Sequence, residues 1–228
     1  MRNSLLYSED VMKTFSEAKV LVCGLGGVGG TCFAALLRSG FNHLVIVDFD
    51  TVEESNLNRQ ILFNVDSLGK RKTDEAVNYA KKINPNIEIS PYFMNISKDN
   101  INDLPWKDID YMVDCIDDVE AKILLIEKSR ELNIPLIISL GTGNRYNSLA
   151  LKVVSLNQTH DDPLARKFRD ELKKRGIPLT GLQVVFSEEK PKVSGKVVGS
   201  TMIVPSAAGL LLASEVMKYF ERMSYVKD

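Results

Sequence analysis

Val20-Leu21-Val22-Cys23-Gly24-Leu25-Gly26-Gly27-Val28-Gly29 decides the fold. The apolar run is a short strand, and the glycines behind it let the backbone turn tightly into a helix over 31–39, stopped by Gly40. Gly24, Gly26, Gly27 and Gly29 so placed bring the main chain against a phosphate at the positive end of that helix. Working outward, Leu44-Val45-Ile46-Val47-Asp48 reads as a second buried strand, and 70–83 as a charged amphipathic helix ended by Asn84-Pro85. Strands follow over 87–90 and 111–116, a helix over 120–132, and a fifth strand over 134–140 that closes on Gly141. Continuous apolar strands separated by helices imply a mostly parallel sheet covered on both faces. That is a doubly wound, Rossmann-like α/β fold, with ligands at the carboxyl ends of the strands. The glycine loop, Asp48, Asp117 and Gly141-Thr142-Gly143 all fall at those ends.

Beyond Asn144 the pattern changes. Segments 149–154 and 182–186 read as antiparallel strands flanking a charged helix over 163–175, and 188–199, rich in Lys, Pro and Gly, as a mobile loop. A final helix spans 206–223. The chain reads as one domain, 1–228, with a nucleotide-binding core over 1–143 and a substrate-binding extension over 144–228. At 228 residues, 44% hydrophobic and 26% charged, its composition is that of an ordinary soluble protein. A net charge of -1 excludes a globally basic nucleic-acid binder but leaves room for a local patch. Cys23, Cys32 and Cys115 form no C-x-x-C pair, so neither a zinc ribbon nor a disulfide framework is indicated. All three read as core fillers. Residues 1–19 lack the apolar region of a signal peptide, and no apolar run approaches roughly 20 residues. A cytoplasmic protein with no membrane contact is expected.

The residues after the second strand narrow the chemistry. Asp48 lies about twenty residues beyond the glycines, where a carboxylate accepts hydrogen bonds from ribose hydroxyls in NAD and ATP sites alike. The acidic pair Asp48 and Asp50 is followed by Asn56-Leu57-Asn58-Arg59-Gln60. A dinucleotide site has no need of this guanidinium and carboxamide. A site that splits ATP between its α and β phosphates does, because an Arg fork binds phosphate oxygens and stabilises charge on the α-phosphate. Lys72 opens the next helix within reach of the same triphosphate. Asp117, in Asp114-Cys115-Ile116-Asp117-Asp118, is placed to hold Mg²⁺ on the β and γ phosphates.

This order of motifs, over residues 1 to about 143, resembles the ThiF/MoeB/HesA superfamily, relatives of the ubiquitin-activating enzymes. The resemblance implies that Gly26, Asp48, Asn56, Arg59, Gln60, Lys72 and Asp117 contact ATP or its magnesium. Arg2, in Arg2-Asn3-Ser4-Leu5-Leu6, is similar to the arginine that in that family reaches a partner subunit's ATP, which implies a homodimer. Asp118, where asparagine is commoner, and Gly30, often serine, depart from the pattern.

Within the superfamily, no cysteine follows Cys115 and the paired zinc motifs are absent. The segments 139–144, 162–166, 171–177, 184–191, 199–200, 204–205 and 208–210 are similar to the tRNA threonylcarbamoyladenosine dehydratases, although Asp161 stands where many of them carry cysteine. That likeness implies adenylation of the threonyl carboxylate of a modified adenosine beside the tRNA anticodon, then ring closure by its carbamoyl group. A sulfur-relay protein stays open as a further partner. Adenylation of a ubiquitin-like carrier's Gly-Gly tail is the alternative. A nicotinamide oxidoreductase leaves Arg59, Gln60 and Lys72 unexplained, and a non-catalytic scaffold leaves every filled ATP position unexplained. For tRNA, Arg166, Lys167, Arg169, Lys173, Lys174 and Arg175 supply a basic helix face against Asp170 and Glu171, and Lys190, Lys192 and Lys196 add to it. His43 reads as structural, His160 has no evident orienting partner, and Trp106 reads as a packing anchor.

Overall fold

A computed structural model describes residues 2–192 and 198–225; the middle of the loop expected over 188–199, with Lys196, lies outside them. The strands are β1 (Lys19–Cys23), β2 (His43–Asp48), β3 (Glu88–Phe93), β4 (Tyr111–Asp114), β5 (Leu136–Ser139), β6 (Leu151–Ser155) and β7 (Gln183–Ser187). They form one sheet in the order β3-β2-β1-β4-β5-β7-β6. All pairings are parallel except β6 with β7. The antiparallel pair expected in the C-terminal part is present, but β7 also lies parallel to β5 and so completes the main sheet.

Helices cover both faces. α1 (Glu9–Glu17), α2 (Gly27–Ser39), α3 (Lys72–Lys81) and α6 (Ile203–Ser224) share one core, where Phe15 stacks on Phe41 at 5.0 Å and Phe41 meets the edge of Phe220. α4 (Val119–Leu132) and α5 (Pro163–Lys174) build the other around Ile123, Phe168 and Leu172. The chain winds from β1 outward to β3 and resumes at β4 on the opposite side of β1. Loops leaving β1 and β4 therefore diverge, and the crevice between them is where such sheets bind ligands.

Several boundaries differ from expectation for local reasons. α2 begins at Gly27, so the later glycines form its first turn. β3 runs on through Pro91 to Phe93, tolerated because it is an edge strand. β4 stops at Asp114, whose side chain accepts the Ile116 amide and turns the chain. α6 starts at Ile203 with Pro205 in its first turn, where a missing N–H costs nothing.

By length and mean hydropathy alone, α6 is apolar enough to cross a bilayer. Here it is a core helix, with Val204, Ala208, Leu212, Val216 and Phe220 buried. It packs backbone to backbone on α2. A Cβ at Gly209 would lie 2.3 Å from the Val28 carbonyl oxygen.

A buried ion pair fixes the mouth of the crevice. Lys122 Nζ donates to Asp114 Oδ1 at 3.1 Å and to the Ser139 carbonyl at 2.9 Å, both side chains being fully buried. One lysine thus ties α4 to the ends of β4 and β5. Burial pushes the Asp114 carboxyl above its ordinary range, and Lys122 opposes that rise. Lys122→Ala should cost about 3–5 kcal/mol at neutral pH, the scale of a buried charge left alone. Without the ammonium the folded-state pKa of Asp114 rises further above its unfolded value of roughly 3.9. The variant is then least impaired below that value and loses stability as pH climbs through the folded pKa. Urea unfolding of both proteins across a pH series measures this; a loss independent of pH would contradict it.

Candidate active site

The crevice opens into two adjoining cavities. The first, about 270 Å³, is lined by Gly24, Gly26, Gly27, Asp48, Asp50, Asn56, Arg59, Gln60, Lys72 and Asp117, among others. Strand ends and turns distant in sequence thus bring these predicted residues together. Gly29 stands behind the wall: its hydrogen lets α2 pack so close that a Cβ would be 1.8 Å from the Gly24 carbonyl oxygen. Gly24 itself has φ +86°. No side chain caps the start of α2 at Gly26, so its first amides face the cavity as an anion cradle.

Asp48 accepts the Leu25 amide at 2.7 Å and the Asp50 amide at 2.8 Å, which locks the glycine loop to β2. Burial raises its carboxyl pKa, with nearby Lys72 and those two amides working against the rise. Lys72 is buried and donates to Asp50 Oδ2 at 2.6 Å, so Asp50 holds the ammonium over the cavity. Asn56 is also buried; its Oδ1 accepts the Glu53 amide and shapes the turn. Gln60 Oε1 is buried on the wall with no partner among the described residues, an atom left for a ligand. Arg59 is held by its own turn, donating to Ser55 O at 2.7 Å and Asn58 Oδ1 at 3.0 Å. Asp117 is exposed, and it is Asp118 that caps α4, accepting the Ala121 amide at 2.8 Å. The aspartate at 118 therefore fills the capping role that an asparagine would.

The second cavity, about 820 Å³, meets the first along Gly27, Arg59, Cys115, Ile116 and Asp117. Its far walls are the Gly141–Arg145 turn, the start of α5 at Asp162–Leu164, Pro191, Val198 and Pro205. Arg145, which the sequence did not single out, binds these walls together from inside. Its guanidinium donates to Gly141 O at 2.6 Å, Glu189 O at 2.9 Å and Asp162 Oδ2 at 3.0 Å. Arginine after a polar glycine turn carries no spacing signal, so only the fold identifies it. Met94, Asn95 and Ile96 on the first cavity were missed because β3 was expected to end at Ser90.

Cys23 and Cys32 are core fillers, but Cys115 lies on the wall common to both cavities. Burial pushes its thiol well above the ordinary range, which keeps it protonated and unsuited to attack. His160 pairs with Asp161 at 3.3 Å outside both cavities, and His43 with Glu88 at 3.0 Å at the opposite end of β2. Trp106 donates to the Ile101 carbonyl and packs into the core. Of the basic residues on α5, Arg169 is bound to Thr159 and Arg175 to Glu120 and Glu171. Arg166, Lys167 and Lys173 are exposed, and Lys174, also exposed, pairs with Glu171 at 3.3 Å. Arg2 is exposed in a short turn of 3-10 helix, which Asn3 ties to the Arg38 carbonyl at the far end of α2.

The ThiF family model matches residues 1–226. The tRNA threonylcarbamoyladenosine dehydratase of Bacillus subtilis (strain 168) is 32% identical, covering 100% of this chain and 94% of its own length. The crystal structure of the E. coli tRNA N6-threonylcarbamoyladenosine dehydratase with AMP superposes with a TM-score of 0.92 at 30% identity, covering 98% of this chain and 94% of that one. The same enzyme with ATP gives a TM-score of 0.92 at 29% identity, covering 99% and 95%. With its glycine cradle, acidic pair and Asn-x-x-Arg-Gln turn gathered in one crevice, this chain belongs to the ThiF family.

Proposed function

We propose that this protein adenylates the threonyl carboxylate of threonylcarbamoyladenosine in tRNA and lets the neighbouring carbamoyl group close a ring, with release of AMP and pyrophosphate. One observation carries the reading: the crevice lined by the glycine loop and Asp48, and a second cavity of about 820 Å³, share the wall that holds Arg59 and Asp117. On this reading residues 1–143 hold the nucleotide and 144–228 the substrate. On this reading the protein works in the cytoplasm.

The residues divide the work simply. Asp48 accepts the ribose hydroxyls, Gln60 Oε1 accepts a donor of the nucleotide, and the open start of α2 with the side-chain N–H groups of Asn56 and Gln60 donates to phosphate oxygens. A carboxylate oxygen of the substrate bonds to the α-phosphorus as the bond to pyrophosphate breaks. Arg59 and Lys72 meet the charge that develops there. The carbamoyl group then bonds to the acyl carbon as AMP leaves, its proton passing to solvent. The departing carboxylate oxygen stays in AMP, so the nucleoside has lost one water. No protein nucleophile is needed, which agrees with the protonated thiol of Cys115.

Asp117 is the side chain fitted to hold Mg²⁺. Among the described residues no group of three or more His, Cys, Asp or Glu could form a cage, so phosphates and water would complete the shell. When bound, the ion offsets charge on the β and γ phosphates. The sulfur-relay partner left open by the resemblance finds no accessible thiolate among the described residues.

A second copy of the chain belongs to the proposal. α2 is about 20 Å long at 1.5 Å per residue, and Arg2 stands at the end remote from its own cavity. Beside it Leu5 and Leu6 are 84% and 82% exposed, an apolar pair available to another subunit.

Arg59→Ala and Asp117→Ala should fold normally and lose adenylation by about 10²–10³-fold, the scale of a lost transition-state contact. Near-normal pyrophosphate release from both would contradict their roles. Mixing Arg2→Ala with Asp117→Ala subunits tests action across the dimer. One restored site per mixed dimer should return about a quarter of normal activity, whereas arginines acting in their own subunit return none. Lys173→Glu with Lys174→Glu should weaken tRNA binding and reduce the slope of log affinity against log salt by roughly one unit per lost phosphate contact. An unchanged slope would exclude this patch.

A further inference from the structure

The rim of the second cavity carries a feature that adenylation does not use. Tyr146 follows directly on Arg145, a wall residue, yet its side chain points outward and the residue is 60% exposed. The Lys192 ammonium sits 3.6 Å from the centre of its ring. Lys192 is itself next to Pro191, another wall residue.

The backbone beneath is fixed from several sides. The Glu189 carboxylate accepts the amides of Tyr146 and Asn147 at 3.1 and 2.8 Å. The Lys192 amide donates to the Asn144 carbonyl at 2.9 Å, and Asn144 bridges to Gly199 through its amide and its side chain. A large ring, 60% exposed, is thus held on an anchored turn with a cation over one face.

We propose that Tyr146, backed by Lys192, is a stacking platform for an unpaired nucleobase adjacent to the adenosine whose side group enters the second cavity. This rests on the proposed tRNA reading. A nucleoside drawn into the cavity leaves its chain neighbour without a stacking partner. RNA loops are recognised by seating such splayed bases on aromatic faces. A ring whose far side is covered by an ammonium suits this, since the cation–π contact holds the ring in place. The platform tolerates any base, because every base has a π-face.

The test uses the full chain and an anticodon stem-loop RNA that carries threonylcarbamoyladenosine, with 2-aminopurine on each side of it in turn. Wild-type protein and Tyr146→Phe should quench one of the two probes, bind equally well and dehydrate the RNA. Tyr146→Ala should bind about 5- to 100-fold more weakly, the range seen when a base loses its aromatic partner. Its probe should stay bright, its rate at saturating RNA should stay near normal, and its salt slope should not change, since no phosphate contact is removed. Equal affinity and quenching in Tyr146→Ala overturns the platform while leaving the dehydratase reading intact. A change in subunit assembly with no change in RNA affinity also overturns it, by making the residue a protein contact. Wild-type protein that neither binds nor dehydrates the RNA defeats the underlying reading, and this inference with it.

Discussion

The structure depends on how closely α2 lies against the end of β1. Gly29 meets the carbonyl of Gly24 at a distance that no side chain would allow, and Gly209 on α6 presses the same helix from outside at Val28. Held from both sides, α2 has no freedom to withdraw its amino end from the crevice. The amides of that end are therefore aimed before any ligand arrives, and preorganised dipoles require no reorganisation at the moment of reaction. Asp48 completes the arrangement by bonding the loop amides that lead into the helix.

Around that fixed point, polar groups are managed by pairing. Asp50 holds Lys72, Lys122 answers Asp114, and Arg145 satisfies two carbonyls of the Gly141–Gly143 turn together with Asp162. The last two pairs are buried, where a lone charge is costly. They serve geometry: Lys122 fixes the strand ends under the first cavity, and Arg145 fixes the walls of the second. Thiols take no part, since burial keeps all three protonated.

The first cavity was legible in the sequence because its residues lie at places that pattern alone identifies. Apolar strands end visibly, and Asp48, Asp117 and the glycines stand at those ends. Asn56, Arg59 and Gln60 share one short turn, so their side chains converge without help from the rest of the fold. Lys122 was not legible, since a lysine within a helix reads as a solvated charge until β4 and β5 are placed against it. Arg145 and Tyr146 were hidden for the opposite reason: adjacent in sequence, they face inward and outward, and only the turn decides which. The basic helix was half legible. Its charges were plain, but the engagement of Arg169 with Thr159 and of Arg175 with Glu120 depends on long-range packing.

The position of α6 bears on how the protein comes into being. Residues 203–224 leave the ribosome after everything they cover, including the face of α2 that carries Cys32, Leu36 and the backbone at Val28. During synthesis that face has no lid, so a nascent chain that already holds every residue of the first cavity still shows an apolar strip to its surroundings. Such strips are what chaperones hold and what drives aggregation. The contact of Gly209 with the first turn of α2 forms only once residues 203–224 have emerged, so the helix start that faces the crevice gains its outer support late.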